Sequence, residues 1–284
     1  MERFNRQVLL FGQEGQAKIR AISVAIVGLG GLGSHIAQQL AYLGVGRFLL
    51  MDDDLVDLSN LNRLIGAAPS DAEDGLPKVV VAQKTIRSVD PGVQVDTIQG
   101  SVASPELCHQ LRNVDFVFGC VDNDGPRLVL TTACGAFHKP YFDIATDIVL
   151  VEQSIHYGGR VVFAAGAGCP YCLDLLDPLE VERWMSSTEA LAANERIYGK
   201  REAGSSPSVV SLNGLLASAA CMEFMVEVVG LRSAEHLLEY DGTTAKLRVD
   251  KSVPMRWCPY CGSYKTGSTE YLDRLLLQLP GDGR

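Results

Sequence analysis

Runs of apolar residues separated by short polar segments divide the first half of the chain into alternating strands and helices. The β-branched run Ser23–Val27 leads into a glycine-rich segment, residues 28–33, and then into an apolar stretch of helical character, residues 36–43. This order predicts a strand, a tight turn and a helix. Further strands are predicted at 47–51, 93–98, 115–121 and 140–145, and helices at 79–89, 105–111 and 127–137. The alternation predicts a Rossmann-like α/β fold with a mostly parallel sheet.

The second half of the chain has a different pattern. Residues 151–157 and 160–164 alternate between apolar and polar positions on either side of Gly158-Gly159, which predicts an antiparallel hairpin that turns at the two glycines. Two further strands are predicted at 237–240 and 246–249, and an apolar helix at 207–229. We therefore expect antiparallel strands to extend the parallel sheet.

Three segments lie outside this core pattern. The first 20 residues are polar and mixed, and they predict a helix outside the sheet, with Arg3 and Arg6 on a solvated face. Residues 173–206 are polar and charged, so we expect an irregular, mobile crossover segment, because long irregular stretches in compact folds are usually functional or mobile. Residues 271–279 predict a short amphipathic helix near the C-terminus.

Composition and charge narrow the class of protein. The 284 residues are 47% hydrophobic, enough to bury a full core. A net charge of −9 and a pI near 5.1 argue against a nucleic-acid partner, because no basic stripe is available to contact phosphates. We find no apolar run of transmembrane length, and the first residues lack the apolar core of a signal peptide. These features predict a cytoplasmic protein without a membrane partner.

The glycine-rich segment has the spacing of a nucleotide-binding fingerprint. In this motif Gly28 makes the tight turn, Gly30 allows the backbone to approach a phosphate, and Gly33 lets the helix and strand pack closely. Asp52 ends the second predicted strand, about 20 residues further on, where an acidic side chain can bind ribose hydroxyls. The fingerprint alone indicates a nucleotide, and its first interpretation would be NAD. A glycine turn without a ligand is the alternative.

Polar side chains follow the predicted strands at positions suited to a polyphosphate. Asn60 and Arg63 can reach phosphates, and the planar fork of an arginine matches phosphate oxygens. Lys78 opens a helix, where it either faces a bound polyphosphate or lies on the surface; the sequence leaves both open. Asp122 follows a buried strand at the edge where open parallel sheets bind ligands, so a magnesium ion there could bridge to phosphates.

Cysteine spacing predicts a metal site. The sequence Cys-Pro-Tyr-Cys occurs twice, at 169–172 and 258–261, with 85 residues between the two copies. One such pair would leave a redox role open, but two matching pairs indicate a structural zinc ion held by Cys169, Cys172, Cys258 and Cys261. The simplest interpretation of the remaining four cysteines is that they are core residues: Cys108, Cys120, Cys134 and Cys221.

Together these motifs resemble the ThiF/MoeB/HesA family, the bacterial relatives of ubiquitin-activating enzymes. The resemblance covers residues 1–262, which it identifies as an adenylation domain, and leaves 263–284 as a C-terminal tail. It implies a homodimer that uses ATP and Mg²⁺ to adenylate the C-terminal glycine carboxylate of a ubiquitin-like protein. It rests on residues 3–7, the glycine segment, residues 59–63, Gly75 with Lys78, residues 120–123 with Arg127, and the paired cysteine motifs.

The resemblance also implies residue roles. Asp52 would hold the ribose, Lys78 and Arg63 would hold phosphates with Asn60, and Asp122 would bind magnesium. Arg6 would reach across the dimer into the site of the second subunit, so the implied catalytic residues are Arg6, Arg63, Lys78 and Asp122. The predicted nucleotide-binding residues are Gly28, Gly30, Gly31, Gly33, Asp52, Asp54, Asn60, Arg63, Lys78, Asp122, Asn123 and Arg127.

The chain departs from the family pattern at several positions. Leu64 stands where many relatives carry glutamine, and Asp143 and Asp147 flank a segment that is less acidic in MoeB-like proteins, so the substrate tail could differ. Residues 173–206 contain no cysteine, whereas thioester-forming relatives place one there. We therefore expect an enzyme that stops at the acyl-adenylate.

Three other functions fit parts of this pattern. Adenylation of a peptide or of a tRNA-linked carboxylate is possible within the family, although the acidic charge argues against tRNA. An NAD-dependent oxidoreductase would share the glycine fingerprint but would leave Arg63, Lys78 and Asp122 without a role. The same three residues argue against a non-catalytic protein that only binds ubiquitin-like partners.

Overall fold

The computed structural model describes residues 2–151, 154–166, 168–187 and 207–279. In these ranges eight strands form a continuous sheet in the spatial order 3-2-1-4-5-6-7-8. The strands are β1 Ser23–Val27, β2 Arg47–Asp52, β3 Gln94–Gln99, β4 Phe116–Gly119, β5 Tyr141–Val151, β6 Ser154–Ala164, β7 Leu237–Asp241 and β8 Lys246–Val249.

Helices cover both faces of the sheet. The α-helices are α1 Asn5–Ala21, α2 Gly31–Leu43, α3 Pro69–Glu73, α4 Lys78–Val89, α5 Pro105–His109, α6 Asp124–Ala136, α7 Pro178–Met185, α8 Val210–Val229 and α9 Glu270–Gln278. Short 3₁₀ helices occur at Glu2–Phe4, Leu58–Asn60, Gln110–Asn113 and Cys261–Lys265.

Strands β1 to β5 form the parallel half of the sheet and confirm the predicted Rossmann-like arrangement. β1 pairs in parallel with β2 on one side and with β4 on the other, so that Val27 lies beside both Met51 and Gly119. The carboxyl ends of these three strands therefore meet at one edge. This edge is the switch point at which open α/β sheets bind their ligands.

Alternate residues of β1 contact two separate apolar clusters. Val24 and Ile26 pack against helices α2, α4 and α8 on one face of the sheet. Ala25 and Val27 pack against α6 and α9 on the other face. This two-residue period places a strand at the centre of a three-layer α/β core, because successive strand side chains point to opposite faces.

Strands β5 to β8 are antiparallel and extend the sheet as expected, but the predicted position of the hairpin turn is wrong. β5 ends at Val151, which pairs with Ser154 at the start of β6, and both glycines lie inside β6. A Cβ atom on Gly158 would lie 2.2 Å from the Tyr240 carbonyl oxygen, and one on Gly159 would lie 2.3 Å from that of Ala145. The two glycines therefore permit close packing of neighbouring backbones. In the sequence, a glycine pair with this role looks the same as a glycine pair in a turn.

Helix α8 lies within the predicted apolar helix 207–229, but its composition contradicts one expectation. Its most apolar window has a mean hydropathy of 1.5, so by length and composition it could cross a membrane, and the expectation that no run has this length is wrong. It is the one such helix in the described part of the chain, and 61% of that window is buried. The apolar character follows from packing, because α8 lies between α2, α1 and strands β5 and β6.

The crossover segment is not irregular throughout. Helix α7 lies inside the predicted range 173–206, and the Trp184 ring occupies the space beside Gly125 in the first turn of α6. The Asp177 backbone N–H donates to the Asp124 carboxylate at 2.7 Å. These contacts attach α7 to the N-terminal end of α6. The rest of the predicted mobile segment, 188–206, lies outside the described residues.

The tail prediction is confirmed where the structure describes it. α9 forms close to the predicted range, and Leu272, Leu275 and Leu276 are buried in the second apolar cluster. The opposite face of α9 carries charged residues such as Glu270 and Arg274, which form an exposed ion pair. The tail is thus an amphipathic helix that packs against α6.

Candidate nucleotide site and cysteine cluster

The glycine segment forms a turn that leaves space for a ligand. Gly28 has φ = +86°, and a Cβ atom there would lie 2.7 Å from the Cys120 carbonyl oxygen, so only glycine fits between β1 and the end of β4. A Cβ atom on Gly33 would lie 1.9 Å from the Gly28 carbonyl oxygen, which fits close helix–strand packing. At Gly30 a Cβ atom would meet nothing within 4 Å. A ligand can therefore approach the backbone at this position.

Asp52 joins the glycine loop to the end of β2. Its Oδ2 accepts a hydrogen bond from the Leu29 N–H at 2.5 Å, and its Oδ1 accepts one from the Asp54 N–H at 2.8 Å. Burial raises the pKa of this carboxyl group, although the charge of Lys78 and the two backbone hydrogen bonds oppose that shift. The carboxylate fixes the loop, and each oxygen keeps a lone pair. Its predicted contact with ribose stays a prediction.

Lys78 is directed toward the same strand end. It is the first residue of α4, it is buried, and its Nζ lies 2.5 Å from Asp54 Oδ2. Its backbone N–H also donates to the Asp54 carbonyl oxygen at 3.1 Å. The structure thus excludes the alternative of a surface lysine and places the ammonium group near Asp52. A buried ammonium in the first turn of a helix opposes the helix dipole, an arrangement that a bound anion would relieve.

Arg63 lies over the start of α2. Its Cδ would be 3.4 Å from a Cβ atom on Gly31, and its Nη1 donates to the Ser59 carbonyl oxygen at 2.6 Å and to Asn62 Oδ1 at 3.0 Å. Asn60 caps the preceding 3₁₀ helix by accepting from the Asp57 N–H at 3.2 Å. The segment is therefore ordered by its own hydrogen bonds and brings a guanidinium group to the glycine loop.

Asp122 lies at the end of β4 next to the glycine loop. A Cβ atom on Gly28 would be 2.9 Å from the backbone nitrogen of Val121, the residue before it. The Asp122 side chain is exposed, and Asn123 Nδ2 donates to its Oδ1 at 3.0 Å. An exposed carboxylate at this edge has the oxygen chemistry that Mg²⁺ prefers.

Arg127 has a different position from the other predicted nucleotide-binding residues. It is only 4% exposed, and its Nη1 donates to Asp143 Oδ1 at 2.7 Å and to the Ile144 carbonyl oxygen at 3.0 Å. Nη2 donates to the Val121 carbonyl oxygen. The guanidinium group joins the end of β4 to β5 inside the protein. A contact between Arg127 and a nucleotide stays a prediction, and the observed bonds give it a structural role.

The two arginines of the N-terminal segment have different surroundings. Arg3 is exposed, as predicted, but its Nη1 donates to the Val89 carbonyl oxygen at 2.8 Å and its Nη2 to that of Ala41 at 2.9 Å. Arg3 therefore attaches this segment to the C-terminal ends of α2 and α4. Arg6 is exposed, and the described residues offer it no hydrogen bond or ion pair. In the part of the chain that the structure describes, no bond connects Arg6 to the residues around the glycine loop.

The four cysteines of the two motifs form one compact cluster. Their sulfur atoms all lie within 4.8 Å of one another, with Cys169–Cys172 at 3.5 Å, Cys169–Cys258 at 3.7 Å and Cys172–Cys261 at 3.9 Å. A tetrahedral zinc site with Zn–S bonds of about 2.3 Å has sulfur atoms about 3.8 Å apart. The cluster therefore has the dimensions of a closed four-cysteine metal site and not of disulfides, whose sulfur atoms are about 2 Å apart.

Comparison with known proteins places this arrangement in a family. The sequence model of the ThiF family matches residues 4–257 of this chain. The chain belongs to the ThiF family. It is 35% identical to the vegetative HesA protein of Trichormus variabilis over 268 residues, covering 93% of this chain and 90% of that protein. It is 29% identical to the sulfur carrier protein ThiS adenylyltransferase of Escherichia coli, covering 92% of this chain and 94% of that protein.

A solved structure shares the fold of this ThiF-family chain. The crystal structure of E. coli MccB with ATP has a TM-score of 0.70 and 17% sequence identity, covering 92% of this chain and 75% of that chain. At this identity the likeness concerns the fold alone. The adenylyltransferases among the sequence relatives decide the class of protein. This ThiF-family chain is an enzyme that transfers adenylyl groups.

Two polar features of the ThiF-family chain were missed by sequence reasoning. Asn213, in the first turn of α8, has its amide against Gly31, and a lone amide in an apolar helix was the available signal. Asp143, which the sequence connected only with a difference in the substrate tail, is fully buried and bound by Arg127 and by the Tyr141 hydroxyl at 2.9 Å. A cavity of about 320 Å³ lies beyond it on the antiparallel half of the sheet, and its charged lining residues are Asp147, Arg160, Glu239, Asp241 and Arg248.

Proposed function

We propose that this enzyme uses ATP and Mg²⁺ to adenylate the C-terminal glycine carboxylate of a ubiquitin-like protein and releases pyrophosphate. The observation that carries the proposal is the set of charges around an open glycine loop. The Arg63 side chain lies against Gly31, Lys78 is paired with Asp54 beside the loop-binding Asp52, and the exposed Asp122 lies at the adjoining strand end. Relatives named for ThiS and for molybdopterin synthase support a protein substrate of this kind. An NAD-dependent oxidoreductase would give Arg63, Lys78 and Asp122 no role.

The charges near the loop suit the reaction. A substrate carboxylate oxygen bonds to the α-phosphorus of ATP, and the bond from that phosphorus to the β-phosphate oxygen breaks, so pyrophosphate leaves. The enzyme forms no covalent bond in this step, and positioning together with charge stabilisation must overcome the repulsion between carboxylate and triphosphate. The ammonium of Lys78 and the guanidinium of Arg63 would supply fixed positive charge. Asp122 would hold Mg²⁺, which neutralises phosphate charge when bound.

The substrate assignment has a direct test. Purified protein with MgATP and labelled pyrophosphate is offered ubiquitin-like proteins that end in Gly-Gly, peptides with free carboxylates, or tRNA that carries a free carboxylate. We expect exchange only with a ubiquitin-like protein, and a peptide is the second candidate because MccB structures of the same fold contain MccA. Exchange with peptides alone would show that the substrate is a peptide and not a ubiquitin-like protein. Exchange with none of these substrates, despite MgATP binding, would contradict adenylation of these carboxylates.

A homodimer is part of the proposal. Leu9 and Leu10 on α1 are 82% and 61% exposed, and they lie close to the exposed Arg6 in sequence. Exposed leucines near in sequence to an arginine that has no partner among the described residues suit a surface that a second subunit covers, since exposed apolar patches mark interaction sites. In such a dimer Arg6 would enter the site of the other subunit. The free thiols suit a reducing compartment, and a cytoplasmic location remains our expectation.

We propose that the cysteine cluster holds one structural zinc ion per chain. Cys258→Ser should lower the free energy of unfolding by at least about 3 kcal/mol, because it removes a ligand from a closed site that connects the segment around residue 260 to the segment around residue 170. The affinity for MgATP should not change in the folded variant. Elemental analysis and chemical unfolding measure these outcomes.

Cys134→Ala is the matched control for the zinc prediction. Cys134 is buried but lies outside the cluster, so this variant should keep the full zinc content while losing some packing energy. Freshly purified, folded wild-type protein without bound metal would contradict the zinc assignment.

The enzyme should form no thioester with its substrate. Burial raises the pKa of the Cys108 thiol to about 12 and also raises those of the other three cysteines outside the cluster, so none offers an accessible thiolate. The cluster cysteines would be occupied by zinc. Residues 188–206 contain hydroxyl and amine side chains but no cysteine. The acyl-adenylate would therefore pass to an external acceptor.

Non-reducing gel electrophoresis after incubation with MgATP and a ubiquitin-like substrate measures thioester formation. We expect no adduct that is sensitive to reductant. An adduct that disappears with dithiothreitol, and that is lost on replacing one of the cysteines Cys108, Cys120, Cys134 or Cys221, would overturn this prediction.

A further inference from the structure

Asn213 makes contacts with three separate parts of the fold. It lies in the first turn of α8, is 2% exposed, and its Oδ1 accepts from Thr146 Oγ1 of β5 at 3.1 Å. Its Nδ2 donates to Ser208 Oγ, just before α8, at 3.1 Å. A Cβ atom on Gly31 would lie 2.1 Å from the same nitrogen. One side-chain amide thus touches the glycine loop, the sheet and the segment that enters α8.

The position of Gly31 makes this contact relevant to the nucleotide site. Gly31 is the first residue of α2, directly after the open position at Gly30, where backbone N–H groups are available to an anion. The Arg63 side chain lies on another part of its surface, and Ser34 Oγ donates to its carbonyl oxygen at 3.3 Å. Gly31 is therefore contacted by the side chains of Ser34 from its own helix, Arg63 from a turn after β2 and Asn213. Asn213 is the one that comes from α8.

The chemistry of the amide argues against a role as simple packing. An amide buried in an apolar helix is unfavourable unless it is hydrogen-bonded, and an apolar side chain would fill the same space without that requirement. Asn213 uses its carbonyl oxygen and one N–H, while the second N–H of Nδ2 has no acceptor in the part of the chain that the structure describes. That nitrogen lies against Gly31.

We propose that Asn213 is a positioning residue for nucleotide binding. It fixes the start of α2 relative to Thr146 of β5, so that the N–H groups of the glycine loop keep the orientation that a triphosphate requires. Asn213 acts through Gly31 and does not itself contact the nucleotide. This inference rests on the proposed function, because it assumes that MgATP binds at the glycine loop. A preformed loop binds more tightly since less ordering remains to be done on binding.

The test measures the dissociation constant of MgATP alone by calorimetry, well below the melting temperature of each variant. Asn213→Ala should weaken MgATP binding about tenfold, the size expected when one buried hydrogen-bonding group is removed. Asn213→Asp keeps the shape and the acceptor for Thr146, but its carboxylate lies beside the phosphate site. It should therefore bind MgATP more weakly than Asn213→Ala, and this difference should shrink at high salt.

Two further variants separate positioning from general stability. Thr146→Val should weaken MgATP binding by itself but have almost no added effect in the Asn213→Ala background, because both act through one contact. Ser218→Ala removes the 3.1 Å hydrogen bond from Gln39, which also joins α2 to α8 but lies away from the loop. This control should leave MgATP affinity at the wild-type value.

The outcomes distinguish this inference from the proposed function. Wild-type protein that fails to bind MgATP would contradict the proposed function itself. Wild-type binding together with unchanged affinity in a folded Asn213→Ala variant would overturn only the role of Asn213. An Asn213→Asp variant with wild-type affinity would overturn it as well, since shape alone would then be sufficient.

Discussion

Asp122→Ala is expected to lower substrate-dependent ATP–pyrophosphate exchange about 10³-fold. The carboxylate is exposed at the end of β4, beside the turn at Gly28, and no other predicted site residue places an exposed carboxylate at this position. A divalent ion contributes several kcal/mol of charge stabilisation when phosphate oxygens carry the developing charge. Removing its ligand should therefore reduce the turnover number far more than the affinity for the protein substrate.

A series of magnesium concentrations separates a metal ligand from a structural residue. Asp122→Ala should need more magnesium for half-maximal exchange, whereas a folding defect would change the active fraction at every concentration. Asp96→Ala is the matched control, since Asp96 is a carboxylate on β3 whose ion pair with Arg47 lies at the surface. This variant should retain wild-type exchange. Full activity in Asp122→Ala would refute the role of Asp122.

The parallel half of the fold was predictable because its signals are local. The strands β1, β2 and β4 are short apolar runs, each strand from β1 to β4 is followed by a helix before the next strand, and the glycine segment marks the first junction. The order of the strands then follows from the general rules for α/β sheets. The prediction of a turn at the glycine pair of β6 failed because the reason for these glycines is not local in sequence. Gly158 is required by the Tyr240 carbonyl oxygen of β7, which is distant in sequence.

The residues of the candidate site also divide into those that could be placed from local sequence signals and those that could not. The places of Asp52 and Lys78 in the fold were predictable because one ends a strand and the other begins a helix, whereas the direction of the Lys78 side chain was left open by the sequence. Arg127 has a similar place in the sequence, at the start of a helix that follows a strand. Its side chain nevertheless lies inside the protein, because Asp143 offers a buried partner. Asn213 could not be assigned, since nothing near it in sequence indicates that it meets Gly31. Side-chain direction depends on tertiary partners, and these are not encoded in a short window.

Arg6→Ala is expected to reduce exchange about 10³-fold or more, in the range of arginines that a neighbouring subunit supplies to a phosphoryl-transfer site. The exposed position of Arg6 on α1, without a partner among the described residues, is compatible with a target outside its own chain. Arg63→Ala should cause a similar loss, but through the site of its own chain, where the Arg63 side chain lies over Gly31. The two variants therefore damage opposite sides of one composite site.

Mixing the two inactive variants tests this arrangement. If subunits exchange freely, half of the dimers are mixed, and each mixed dimer contains one site with both arginines intact, so activity should return to about a quarter of the wild-type value. The control is each variant incubated alone under the same conditions, which should gain nothing. Absence of recovery with Arg6→Ala, despite subunit exchange shown by a mass tag, would assign Arg6 to its own subunit or to no site.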